Sequence, residues 1–434
     1  MDNFTLIGII GIVFLIITFF TNIPVAYLMA IVGFLGYWVL SGFGPACAML
    51  SNIIYVNFTS YGLALVPLFI FMGFLAFYGG VSTRLYDMAY KWLGRIRGGM
   101  AMATVVACTC FGAVCGSTTA TAATMGAISI PEMKKYKYSN KLSTGSVAAG
   151  GGLGILMPPS VVLIIYGILT QQSIGALFIA GIIPAIIISI LFIIAIAIYC
   201  SIYPEEGPKG EEFSFKEKLK SLVEIWETLL VFILVMGGMF FGIFTPTRAG
   251  AIGSFLLLII TVFQKKLTWE KFKKAVIDTV KTSCMVILLV TGASIFGNFL
   301  ALSRIPMNIA TFVGNLSLPG WAIMGIICFI YLVAGCFIDA LALITFTIPI
   351  FYPLVTNFGY DPIWFGVIIV LVTQMGIITP PVGINAYIVK GIAKDVPLTE
   401  VFIGCIPFLI ALIIGTGIMI IFPKIVTFLP ALIR

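Results

Sequence analysis

The chain has no histidine and no Cys-x-x-Cys pair, and Asp, Glu, Lys and Arg together make up only 9% of its 434 residues. Without histidine it lacks the side chain most used for general acid–base work and for holding transition metals. Nine cysteines are scattered through apolar segments. Cys108, Cys110 and Cys115 lie close together, but with no histidine beside them they read as small packing residues rather than metal ligands. A soluble domain carries about 25% charged residues, so this composition cannot make a water-facing shell. No phosphate-cradling Gly-rich loop with its Lys occurs, which argues against ATP-driven pumping. Met1-Asp2-Asn3 carries no Lys or Arg and no small-residue cleavage site closes the first apolar run, so this start is expected to lead straight into a helix.

What is present is apolar. Hydrophobic residues make up 61% of the chain, in recurrent runs such as Ile182–Tyr199 and Phe402–Phe422. About 20 such residues span a bilayer as a helix. The runs are continuously apolar rather than alternating, which excludes a membrane β-barrel. The predicted fold class is therefore an all-α polytopic membrane protein, with backbone hydrogen bonds closed inside each helix. The lipid bilayer is its first partner.

The two halves of the chain resemble each other. Ile23-Pro24 matches Thr245-Pro246, the Ser/Thr-rich stretch ending Ile130-Pro131 matches one ending Ile348-Pro349, and GGLGILMPPSVVLIIYG (151–167) matches QMGIITPPVGINAYIVKG (374–391). Each Pro-Pro pair follows a glycine by four residues and is itself followed by a Gly-x-x-Pro, Gly181–Pro184 or Gly404–Pro407. Matched prolines stand about 220 residues apart in the same order, the mark of a duplication. The expected domains are a first repeat over 1–202, a polar linker with an amphipathic helix lying on the membrane surface over 203–227, and a second repeat over 228–434.

Charge gives the orientation. Short cytoplasmic loops collect Lys and Arg. Basic residues cluster at 84–97, 134–141, the central linker, 265–281 and 390–394. Their counterparts in the other repeat, 302–320, 352–362, 43–60 and 168–176, hold only Arg304. Opposite insertion of the two repeats explains this. It puts 20 of the 24 basic residues on one side and both termini on the other. The net charge of +8 then reflects topology, and no nucleic-acid partner is expected. About ten full spans are expected, plus two segments that must begin and end on the same side. These, 100–131 and 321–351, read as re-entrant helical hairpins entering from opposite faces. The partly amphipathic stretches 82–99 and 302–318 read as interfacial helices joining each hairpin to a neighbouring bundle.

Four breaks could carry chemistry. The first hairpin centres on Gly116-Ser117-Thr118-Thr119-Ala120-Thr121, where freed carbonyls and hydroxyls are hard ligands for a small cation. Small-residue helix packing is the competing reading. Gly154, Pro158-Pro159 and Ser160 interrupt one helix; Gly376, Thr379, Pro380-Pro381, Gly383 and Asn385 interrupt its counterpart. Paired interruptions in inverted repeats point to a transport site near the bilayer midplane, against the alternative of simple kinks. The second hairpin holds Asp339, read as the one carboxylate deep in an apolar segment. A cation ligand, a proton carrier and a helix cap are its open roles. Arg248, after a turn near the outer boundary, reads as structural.

The motifs FGAVCGSTTATAATMGAISIPEM (111–133), GGLGILMPPSVVLIIYG (151–167), FTPTRAGAI (244–252), GCFIDALALITFTIPIFYP (335–353) and QMGIITPPVGINAYI (374–388) resemble, over essentially the whole chain, the large membrane subunit of tripartite ATP-independent periplasmic (TRAP) transporters. The resemblance implies an inverted-repeat, elevator-type, Na⁺-driven importer in a bacterial or archaeal inner membrane. It implies two partners, a small four-helix membrane subunit on a separate chain and a periplasmic solute-binding protein that delivers an organic-acid solute. It also implies Na⁺ sites where each hairpin tip meets a broken helix: Gly116, Ser117, Thr118 and Thr119 with Gly154, Pro158 and Ser160, and Gly335 and Asp339 with Gly376, Thr379, Pro380 and Asn385. Ser117, Thr121 and Asn385 are the substrate candidates near those tips. The family commonly has an acidic residue where this chain has Arg248. A stand-alone ion-coupled carboxylate symporter of similar hairpin design is the alternative. A channel fits the duplicated breaks less well, and an intramembrane enzyme lacks a nucleophile–base pair.

Overall fold

A computed structural model describes residues 3–19, 23–315 and 319–432, and every regular element among them is a helix. Met1 and Arg434, the expected outward termini, and residues 316–318 of the second interfacial stretch lie outside the described residues.

The helices recur in one order at a shift of about 222 residues. Gly99–Cys115 and Thr118–Lys135 correspond to Gly320–Gly335 and Ala340–Asn357. The broken helix Asn140–Gly152 / Val161–Thr170 corresponds to Pro362–Gly376 / Ile384–Ile392, and Ile174–Ile202 to Leu398–Ile421. Helix caps repeat too. Ser117 and its mate Asp339 each accept a backbone N–H at the start of a hairpin's second arm, and Ser139 and Asp361 do so for the first half of each broken helix. Such oxygens satisfy N–H groups that a helix start leaves orphaned. The all-α fold of two inverted repeats, each with a re-entrant hairpin, is therefore built from two copies of one helix plan.

Among the described residues five helices are long and apolar enough to cross a membrane: Ile174–Ile202, Pro246–Phe263, Trp269–Leu302, Ala340–Asn357 and Leu398–Ile421. Two strongly bent pairs raise that to seven. Ten spans are reached only with shorter apolar helices such as Asn3–Thr18 and Val25–Ser41. For Val25–Ser41 the shortening has a visible cause: Pro24 precedes it and Gly42, at φ +90°, follows it.

Two expected loops are not loops. Residues 43–60 form the helix Phe43–Thr59, and 269–281 continue into the 34-residue helix Trp269–Leu302. Ala275, Thr279 and Ser283, buried at four-residue spacing among the lysines, give the charged stretch a helical face that packs inward. The stretch 203–227 is more than a surface linker. Its Phe215–Val223 helix carries a capping box (Ser214, Glu217) and is largely exposed, but the preceding residues strap two parts of the fold together. Gly98 N–H donates to the Gly207 carbonyl at 2.9 Å, Gly210 N–H to the Gly94 carbonyl at 2.8 Å, and Ser139 N–H to the Glu206 carbonyl at 3.0 Å. Glu227, at its end, is buried and ion-paired with Arg84 of the interfacial helix Val81–Leu93. That helix leaves Leu65–Tyr78 at 65°, through Gly79 and a left-handed Gly80.

Close backbone crossings hold the bundle. A Cβ on Gly292 would collide with the Ala26 carbonyl oxygen, and one on Gly33 would lie 2.7 Å from the Phe296 nitrogen, so only glycine lets Trp269–Leu302 seat on Val25–Ser41. Gly145 and Gly404 do the same between Asn140–Gly152 and Leu398–Ile421. Small residues at such crossings are how membrane helices gain packing when burial against lipid yields little.

Candidate functional site

The first hairpin turns at Gly116, which sits at φ +65°, and its second arm begins at Ser117. The Ser117 carbonyl accepts from Thr121 N–H at 3.1 Å and from the Thr121 hydroxyl at 2.7 Å. The Ser117 and Thr119 hydroxyls lie 3.2 Å apart. This tip docks onto the break in the first broken helix, where Val161 N–H donates to the Gly116 carbonyl at 3.4 Å. The approach is backbone to backbone: a Cβ on Gly154 would meet both the Ser117 carbonyl oxygen and Thr121 Oγ1 at 2.7 Å. Pro158 and Pro159, joined by a cis bond, fill the gap between the two half-helices. Ser160 then caps the second half, its hydroxyl accepting from Leu163 N–H at 3.3 Å.

The second hairpin repeats the arrangement. Gly383 N–H donates to the Cys336 carbonyl at 3.1 Å, and a Cβ on Gly376 would lie 2.5 Å from the Gly335 carbonyl carbon. Pro380 is joined to Pro381 by a cis bond, and the Thr379 hydroxyl donates to the Met375 carbonyl at 2.7 Å. Asp339 caps the arm through Oδ2, 3.0 Å from Leu341 N. The capping role left open for this residue is thus realised, while its charge still faces open space.

That space is a cavity of about 450 Å³ into which both hairpin tips project. Gly116, Ser117, Thr118 and Thr119 line it from the first tip, and Asp339, Ala340 and Leu341 from the second. Its far wall is Leu65–Tyr78 and Trp269–Leu302. Gly73 makes the closure possible, since a Cβ there would sit 3.0 Å from the Cys115 Cα at the tip. The walls are mainly apolar, with a few convergent oxygens, the usual make-up of a small-molecule site.

The remaining sequence candidates sit behind the cavity. Gly154, Pro158, Ser160, Gly376, Thr379 and Pro380 belong to the breaks on which the tips rest, and Gly335 ends the hairpin arm that packs on Gly376. Of the three substrate candidates, only Ser117 faces the cavity. Thr121 is buried beneath the tip. Asn385 is buried where the two broken helices meet, its Nδ2 donating to the Ala148 carbonyl at 3.0 Å. Asn385 Oδ1 and both polar atoms of the buried Gln374, which packs against Gly152, have no hydrogen-bond partner among the described residues. Arg248 is exposed at the start of Pro246–Phe263, away from the cavity.

Two cavity residues escaped the sequence reading, Asp278 and its partner Tyr78. Asp278 lines the far wall and accepts a hydrogen bond from the Tyr78 hydroxyl at 2.6 Å. Asp339 therefore shares the cavity wall with a second carboxylate. The signal was there: Asp278, Thr282 and Met285 recur at helical spacing, but the lysines around Asp278 gave the stretch the look of a loop.

The site's donor set is hydroxyls, backbone carbonyls and carboxylates, all hard oxygens suited to an alkali or alkaline-earth cation and not to a transition metal. No group of three or more His, Cys, Asp or Glu side chains among the described residues could hold a metal ion.

The family model described as "Tripartite ATP-independent periplasmic transporter, DctM component" matches residues 12–425. The chain is 33% identical to the C4-dicarboxylate TRAP transporter large permease protein DctM of Pseudomonas aeruginosa, over 86% of this chain and 85% of that one. It is 34% identical to the sialic acid TRAP transporter large permease protein SiaM of Vibrio cholerae, over 87% of each. With the ectoine TRAP transporter large permease protein TeaC of Halomonas elongata it shares 32% identity over 98% of this chain and 97% of that one. Among solved structures, the Alcanivorax borkumensis YdaH transporter superposes with a TM-score of 0.62 at 12% identity, covering 87% of this chain and 88% of that one, a likeness of fold.

Proposed function

The chain belongs to the DctM-component family of tripartite ATP-independent periplasmic transporters, and from that premise we propose that it is the large membrane subunit of a Na⁺-coupled importer of an organic-acid solute. It is a multi-pass membrane transporter and not an enzyme. In this reading it sits in the inner membrane, works with a small four-helix membrane subunit and receives its solute from a periplasmic binding protein.

One observation carries the proposal: both hairpin tips, each seated on a broken helix by backbone contact, project into a single cavity. A solute there touches Ser117–Thr119 of one repeat and Asp339–Leu341 of the other. The residues fit a small hard cation, because each tip offers carbonyl or hydroxyl oxygens and Asp339 brings a carboxylate with no Lys or Arg among the described residues of the cavity wall. Bound Na⁺ supplies neutralising charge at the tips. The chain's own contribution is to order those tips, exclude lipid and hold the solute between them. Selection of the loaded states by differential binding then suffices for coupling.

The elevator motion has its candidate parts. The hairpins and broken helices form one block; Val25–Ser41, Pro246–Phe263 and Trp269–Leu302 belong to the wall. Val81–Leu93, bent at Gly80, links the two. With the basic loops on the cytoplasmic side, both termini lie outside and the cavity neighbours the cytoplasmic ends of its wall helices.

The test is uptake into proteoliposomes holding the chain and both partners. Import is expected only with an inward Na⁺ gradient. Equal uptake in Na⁺-free buffer under a K⁺ or proton gradient overturns the coupling.

A further inference from the structure

The cavity has a polarity that the transport reading does not use. Among its described lining residues are two carboxylates, Asp339 and Asp278, and no Lys or Arg. They stand on different walls. Asp339 is on the second hairpin tip, where a bound cation would neutralise it. Asp278 is on Trp269–Leu302, opposite the tips, with Thr282 and Met285 on the same helical face. Its Oδ2 is held by the Tyr78 hydroxyl at 2.6 Å. Tyr78 is the last residue of Leu65–Tyr78, and the pair braces two wall helices, so Asp278 keeps its place with no ion pair to a Lys or Arg among the described residues.

A carboxylate accepts hydrogen bonds and offers none. A solute filling this cavity presents one end to the hydroxyls and helix start of the first tip and another to Asp278. The first environment suits a carboxylate, because N–H groups at a helix start favour negative charge. The second repels one: like charges facing each other across an apolar-walled space interact more strongly than in water. We infer that this chain selects a monocarboxylate whose far end bears a hydrogen-bond donor, an ammonium or a hydroxyl, and discriminates against dicarboxylates, with Asp278 as the specificity-determining residue.

The inference rests on the transport reading, and its test separates the two. The purified full chain in nanodiscs is titrated with three five-carbon acids differing only at the far end: 5-aminovalerate, 5-hydroxyvalerate and glutarate. Binding is followed by calorimetry in Na⁺ buffer, and Na⁺ alone is titrated in parallel. Saturable Na⁺ binding without solute is the readout for the transport reading. For the specificity inference, at least one donor-bearing acid binds tenfold or more tighter than glutarate. The better of the two tells whether charge or a neutral donor is preferred. Asp278→Asn, which keeps an oxygen for Tyr78, shrinks the preference to about twofold. Glutarate binding as tightly as either donor-bearing acid, none of the three binding, or the Asp278→Asn variant retaining the preference overturns the inference. Na⁺ binding alongside a glutarate preference refutes the specificity alone; loss of Na⁺ binding in the wild type refutes the transport reading.

Discussion

Gly154→Ala adds one methyl group behind the first hairpin tip. The backbone there is an ordinary right-handed 3-10 turn, so alanine brings no strain of its own and makes the unfolded chain less free, worth about 0.4–1 kcal/mol in favour of folding. Against this stands a collision. The new Cβ would lie 2.7 Å from both the Ser117 carbonyl oxygen and Thr121 Oγ1, whereas ordinary contacts begin at 3.4 Å. The tip must therefore withdraw by about 0.7 Å, the difference between those distances. Overpacking of this kind costs about 1–3 kcal/mol. If the tip oxygens bind Na⁺, the withdrawal falls directly on the ligand geometry, and the same energy is lost from binding, a weakening of about 5- to 140-fold at about 1.4 kcal/mol per decade. The assay is Na⁺-dependent thermal stabilisation of the purified protein. Gly391→Ala is the control, since a Cβ there meets nothing within 4 Å. Na⁺ affinity within twofold of wild type in Gly154→Ala, with a folded protein, would refute the claim that this seat positions a cation site.

Four other outcomes follow from the same reasoning. Asp339→Asn keeps a capping oxygen for Leu341 N–H but removes the charge, so Na⁺ affinity falls while melting temperature in Na⁺-free buffer stays close to wild type; unchanged Na⁺ affinity removes Asp339 from the site. Glu227→Ala leaves the half-buried Arg84 with Gln264 alone and costs about 1–3 kcal/mol in chemical unfolding, whereas Arg84→Met with Glu227→Met recovers most of it. Gly145→Leu drives a side chain into the Gly404 carbonyl, which already leaves no room for a Cβ, and abolishes folded protein on size-exclusion chromatography. The fourth concerns pH. A hydrogen bond from Lys134 holds the exposed Asp395 carboxyl below its usual range. A depressed pKa means that the pair's small contribution is present above the ordinary aspartate value, about 4, and lost as pH falls through the depressed one. The melting-temperature difference between wild type and Asp395→Asn therefore vanishes on acidification below about pH 4.

Much of the site was legible because it is built from backbone breakers. Gly116, Gly154, Pro158-Pro159, Gly376 and Pro380-Pro381 interrupt apolar runs, and an interrupted run in lipid must be buried or line a cavity. The repeat offset then paired the breaks. Side-chain direction was not legible. Thr121 and Asn385 offer a side-chain oxygen as Ser117 does, yet one lies beneath the tip and the other between the broken helices. Sequence spacing at a turn does not fix where a side chain points once the helix period is lost.

Composition and local chemistry by themselves determined the membrane class, the duplication and the four breaks, since hydropathy, proline and glycine act over a few residues whatever the rest of the chain does. Only the tertiary structure decided what those breaks surround. It brought both hairpin tips to one cavity, turned Asp339 into a cap with a free charge, and set Asp278 on the facing wall, 61 residues away along the chain. It also converted the central linker into a strap and buried Glu227 against Arg84. These are relations between distant segments, fixed by which glycines let helices cross closely, and no window of sequence contains both partners.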